Sequence, residues 1–219
     1  MSMARIPTLL GVLLLAGCAT STLGLPVQPA GPGLVAQGRL EDPAGDLLDG
    51  DDNPVDTPAY IDIRFLEAVA DGATLRLTLT LAGELPAAPD PEVERLLYSV
   101  FLHTDGDAVP ERDEPGVGVG YTVALHSRGA LGYVPGLRDW SAPDAGPGHL
   151  PVEHLGPDFP GTADVAGDTI VLTVPLDALR DPHVIRVGAW TARGWGEASD
   201  TLPDSDHDGA TRDWLVLGS

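Results

Sequence analysis

The chain has 219 residues, with 33 acidic side chains against 12 basic ones and a formal charge of −21 at neutral pH. Every basic residue is an arginine. This balance excludes nucleic acid and anionic lipid headgroups as partners, because both require positive surface.

Arg5 precedes an apolar run from Ile6 to Ala16, broken only by Pro7, Thr8 and Gly11. The run is shorter than the ~20 residues a membrane-spanning helix needs, and it suits the core of a signal peptide. It ends in Leu15-Ala16-Gly17-Cys18, which resembles the lipobox of bacterial lipoproteins. The resemblance implies that residues 1–17 are removed and that Cys18 becomes the lipidated first residue. Cys18 is the one cysteine of the sequence, so it has no disulfide partner to compete for that role. Several acyl chains anchor a protein stably, at about 0.8 kcal/mol per buried CH2. Ala19 follows where an aspartate would signal retention. By resemblance to enterobacterial sorting, this implies the outer membrane in an organism that has one. Otherwise the address is the outer face of the cytoplasmic membrane.

Residues 18–38 are rich in Gly, Pro, Ala, Ser and Thr without periodicity, the composition of a flexible tether. Residues 39–219 have the length of one domain, able to bury roughly 70% of its unfolded surface without disulfides. The domain opens on an acidic loop, Glu41 to Asp56, that carries Asp42, Asp46, Asp49, Asp51, Asp52 and Asp56. Tyr60 to Gly83 then reads as a β-hairpin. Leu75, Leu77, Leu79 and Leu81 alternate with Arg and Thr, and Asp71-Gly72 supplies the turn. Strands are expected at Leu96–Leu102, Val117–Ser127 and, briefly, Ala130–Val134. Pro135 to Gly161 reads as loops with at most one edge strand. Thr169–Val174 is the next strand, Pro175–Arg180 a single helical turn, and His183–Ala192 another strand. Trp195–Gly209 reads as a second acidic loop, with a last strand at Asp213–Leu217. No segment keeps helical periodicity over about ten residues. The fold class is therefore all-β, an antiparallel sandwich with long acidic loops.

The landmarks come in a defined order. They are Asp42-Pro43-Ala44-Gly45-Asp46, Asp62-Ile63, the leucine ladder after Asp71-Gly72, Tyr98-Ser99-Val100-Phe101-Leu102, Val174-Pro175-Leu176 and Asp200-Thr201-Leu202-Pro203-Asp204. Together they resemble the DOMON-like sandwiches related to family 9 carbohydrate-binding modules. The resemblance implies a jelly-roll-like sandwich, structural calcium in its loops and either a ligand, such as a sugar or a haem, or service as an accessory domain. Haem is set aside, because the methionine such domains use as an axial ligand is missing. Met1 and Met3 are the only methionines, and both lie in the signal segment.

Asp204-Ser205-Asp206-His207-Asp208-Gly209 resembles the first half of a calcium loop, with alternate carboxylates aimed at one point and a glycine for the turn. The position where an EF-hand carries its bidentate glutamate is Leu215, so Asp213 is the candidate late ligand. Asp105 and Asp107 around Gly106, and Asp46 in the first acidic loop, are shorter versions of the same pattern. Each of these runs is also what a solvated acidic surface looks like. Trp140 and Trp195 in Gly-rich loops, with Tyr133, are candidate stacking surfaces for a sugar ring. Trp190 and Trp214 fall in strand patterns and read as core residues. The sequence contains no nucleophile elbow, Cys-His pair, phosphate loop or metalloprotease helix. The expected function is non-catalytic: an envelope lipoprotein with calcium-stabilised loops that binds carbohydrate. The alternatives are a structural or adhesive lipoprotein that binds calcium and a protein partner and, more remotely, a glycan-cleaving enzyme.

Overall fold

The computed structural model describes residues 33–43, 45–48, 54–55, 58–87, 95–104, 120–127, 132–139, 159–194, 198–202 and 214–218. Two antiparallel sheets pack face to face. The first contains β1 (Val35–Glu41), β2 (Ile63–Asp71), β3 (Thr74–Leu81), β7 (Thr162–Ala166) and β8 (Thr169–Pro175), in the order β1-β2-β3-β8-β7. The second contains β4 (Leu96–Thr104), β5 (Tyr121–Ser127), β6 (Tyr133–Asp139), β9 (Ile185–Arg193) and β10 (Ala198–Leu202), in the order β10-β9-β4-β5-β6. The short strand β11 (Leu215–Leu217) also pairs with β9. Among the described residues, helix is limited to 3-10 turns at Ala59–Ile61 and Leu176–Leu179.

The leucine ladder of β3 behaves as its period demands. Leu75, Leu77 and Leu79 are fully buried and Leu81 nearly so, in one core with Leu66 and Ala68 of β2 and Ile170, Leu172 and Val174 of β8. Leu96, Tyr98, Val100 and Leu102 of β4 face them from the second sheet, with Val123, Leu125, Ile185 and Val187. The hairpin turn rests on Gly72, at φ +93°, beside an aspartate that locks it. Asp71 Oδ1 accepts from the Ala73 and Thr74 N–H groups at 3.0 and 2.7 Å, which holds its carboxyl below the usual range. Gly72→Val places a β-branched residue at positive φ. It is expected to cost about 1–2 kcal/mol, read as a lower urea midpoint with an unchanged slope.

The strands differ from the sequence pattern at β1, β6, β7 and β10, and β7 (Thr162–Ala166) falls in a stretch to which that pattern assigns no strand. β1 begins at Val35, within the stretch that reads as tether. Its residues alternate between exposed and half-buried, but the inward set Ala36, Gly38 and Leu40 is too small to stand out in a Gly-rich stretch, and pairing with β2 makes the strand. β6 extends to Asp139, past the expected end at Val134, by pairing with β5 along its whole length. β10 lies inside the expected second acidic loop, where the buried Asp200 interrupts what is otherwise an Ala198/Leu202 inward alternation.

Both faces of β4 and β5 are buried. Trp190 is only half-buried and packs on Leu97 and Ala124, on the face of the second sheet turned away from the core. The Trp214 ring stands 4.9 Å from that of His103 on the same face. Neither tryptophan lies between the sheets.

Candidate metal centre

A cluster of carboxylates sits where the two sheets meet along one edge. Asp42 follows β1, and its backbone N–H continues the ladder to Arg64 O at 3.0 Å. Asp46 lies a turn further on. Asp62 ends the 3-10 turn before β2, and Asp200 points inward from β10 because it shares a face with Ala198 and Leu202. One carboxylate oxygen from each of Asp42, Asp46 and Asp200 lies within 4.8 Å of the other two. Two oxygens on one calcium ion, each at 2.3–2.6 Å, stand at most about 5 Å apart, so a single ion can span this set.

Hydrogen bonds fix the carboxylates without neutralising them. Asp200 Oδ2 accepts the Ile63 N–H at 2.5 Å across the sheets, and Oδ1 accepts the Thr201 N–H at 2.8 Å. Asp62 Oδ2 accepts the Gly45 N–H at 2.8 Å. Asp42, Asp62 and Asp200 are 5%, 4% and 4% exposed. Oδ1 of Asp62 and Oδ1 of Asp46 are buried and have no hydrogen-bond partner among the described residues.

A buried ionised oxygen without a donor is costly, and a cation is one of the few groups that resolves the cost. Burial pushes the Asp200 carboxyl up to about 7. Asp46 and Asp62 push it the same way, against the two backbone donors. Burial also raises Asp62, assisted by Asp46 and opposed by the Gly45 N–H and by Arg64. Arg64 itself donates through Nε to the Asp42 carbonyl at 3.2 Å. The donor set is all oxygen and clustered, which is the chemistry of a hard cation site.

Of the residues singled out in the sequence, the structure brings Asp46 into this cluster. Cys18, Asp105, Asp107, Trp140, Trp195, Asp204, Asp206, Asp208 and Asp213 lie outside the described residues. Tyr133 is half-buried and packs against the core, with its ring 6.4 Å from Tyr98 in an edge-on arrangement. Burial, with Tyr60 nearby, pushes its hydroxyl up to about 12. Asp62 and Asp200 stand in the sequence only as landmarks of the family resemblance, and Asp42 as one of these and as a member of the first acidic loop. The signal that marks Asp200 as inward is the alternation Ala198-Asp200-Leu202, visible only once residues 198–202 are taken as a strand. No family model, curated protein or solved structure matches the chain.

Proposed function

We propose that this chain is a non-catalytic, lipid-anchored module of the bacterial cell envelope whose sandwich is held by a calcium ion at Asp42, Asp46 and Asp200. One observation carries the cation reading. Two carboxylates from the connection after β1 and one from β10 converge within 4.8 Å of one another, beside a buried Asp62 oxygen that has no donor among the described residues. Calcium is favoured because it accepts six to eight oxygens in flexible geometry, and carboxylates can be completed by backbone carbonyls and water. The lipobox supports the anchor, and the acidic balance supports a partner other than nucleic acid.

Burial argues against a glycosidase pair. Such carboxyls flank an open cleft, at about 5–5.5 Å or 6.5–9.5 Å, whereas Asp42 and Asp200 are almost wholly enclosed and both oxygens of Asp200 accept backbone N–H groups. Between a sugar-binding and a structural or adhesive module, the placement of Tyr133 against the core favours the second, since a stacking surface must be exposed.

The test is calorimetric titration of the full chain with calcium. The wild type is expected to bind with a dissociation constant of about 0.1–1 mM, the range of extracellular modules. Asp46→Ala, which removes the half-buried ligand at least cost to packing, is expected to weaken binding by tenfold or more. Equal binding by the variant removes the site.

A further inference from the structure

The chain between β1 and β2 makes an excursion that the pairing of those strands does not require. Antiparallel neighbours are ordinarily joined by a few residues, and here the connection leaves the first sheet and reaches the far strand of the second. Leu48 and Ser199 exchange a reciprocal pair of backbone hydrogen bonds, at 3.0 and 2.8 Å, on the side of β10 away from β9. Leu47 enters the core at 3% exposure, and Val55 donates its N–H to Leu47 O at 3.1 Å. Gly45 to Leu48 is thus a strap across the edge of the second sheet.

The strap carries Asp46 and is preceded by Asp42, while β10 carries Asp200. We propose that the cation is the latch of this strap. Bound, it ties Gly45–Leu48 to β10; removed, it lets the strap open while the sandwich stays folded, leaving the β10 edge uncovered. This inference rests on the cation reading above.

Among the described residues, the strap is held by the Leu48–Ser199 pair, the Val55 and Gly45 hydrogen bonds and the Leu47 side chain. Against them stand four carboxylates gathered in a space where field lines are poorly screened. Without a cation, and with the carboxylates ionised, the least costly relief is to move the carboxylate on the most lightly anchored segment, which is Asp46. The segments that carry Asp62 and Asp200 are held without the strap: the Ile63 N–H donates to Asp200, and the Thr191 hydroxyl of β9 donates to the Ile61 carbonyl beside Asp62. The core of β3, β4 and β9 has no share in the site. Local opening of this kind draws on the least stable cooperative unit of a fold. Its consequence is an unpaired strand edge, which a sheet otherwise keeps covered.

Amide hydrogen exchange on the full chain, in EGTA and in calcium at ten times its calorimetric dissociation constant, reads the latch directly. In EGTA the Leu48 and Ser199 amides are expected to exchange at least about a hundredfold faster than those of Leu77 and Val100. Calcium is then expected to slow Leu48 and Ser199 by about tenfold. Exchange of Leu48 and Ser199 in EGTA at the rate of Leu77 and Val100 would mean the strap opens only with the whole domain. That result overturns the latch and leaves the cation site standing. Strap exchange unchanged by calcium that calorimetry shows to be bound also overturns it. Absence of calorimetric binding removes both the site and the latch.

Discussion

Leu77→Ala is expected to lower the stability of the domain by about 2–5 kcal/mol, the largest effect of any single substitution considered. Leu77 sits in the middle of β3, which is paired on both sides, with Ala68 of β2 and Leu172 of β8 as its register partners. Its side chain is fully buried between the sheets. Removing it costs the transfer of the lost methyl and methylene groups and leaves a cavity that flanking strands cannot close, since both are held in ladders. For a domain of this size the loss corresponds to a fall in Tm of roughly 4–20 °C. Thermal unfolding followed by circular dichroism measures it. A fall of less than about 2 °C would mean that the β3 face is not the centre of the core.

The second large effect is a pH dependence of the cation-free protein that runs opposite to ordinary acid denaturation. Asp200 has its folded pKa raised to about 7, from a reference near 3.8, by burial and by Asp46 and Asp62. Between those values the folded state holds a proton that the unfolded state has released. Stability in chelator is therefore expected to be greatest near the lower value, to fall as pH rises toward 7, and to level off above it. Asp62, raised in the same direction, adds to the trend, and Arg64 opposes it there. The amplitude is on the order of a few kcal/mol at most, from about 1.4 kcal/mol per pH unit of displacement. Calcium reverses the sign, because the bound ion requires the ionised carboxylates and protons compete with it. Urea unfolding in EGTA at pH 5 and pH 8 tests this. Greater stability at pH 8 would contradict the buried-carboxylate account.

The fold and the site were legible to different degrees, for physical reasons. β2, β3, β4, β8 and β9 are half or wholly buried strands whose apolar alternation is local, so each could be read without knowledge of its neighbours. β1 is the contrary case. Val-Ala-Gln-Gly-Arg-Leu-Glu has only a weak apolar face, Ala36-Gly38-Leu40, and it becomes a strand because β2 offers an open edge and because Gly38 lets the chain approach Leu215. A Cβ at Gly38 would stand 2.4 Å from a Leu215 methyl. β10 was hidden by the residue that gives it significance, since a buried aspartate reads locally as loop. Asp46 belongs to a recognisable acidic run, but its partners are contributed by positions 42, 62 and 200. Only the pairing of β1 with β2 and the packing of β10 against β2 across the sheets bring them together, and no spacing in the sequence encodes that meeting.

Thermal unfolding of the full chain in EGTA and in calcium, with magnesium at the same concentration as the control, tests the cation site most directly. At ten times the dissociation constant, calcium is expected to add about 1.4 kcal/mol, or roughly 3–6 °C in Tm. Magnesium, which demands near-octahedral geometry and gives up its waters reluctantly, is expected to add much less, and Asp46→Ala is expected to erase most of the calcium gain. A Tm identical in EGTA and in calcium would contradict the account: the Asp42, Asp46 and Asp200 carboxylates would then be accommodated by protonation alone.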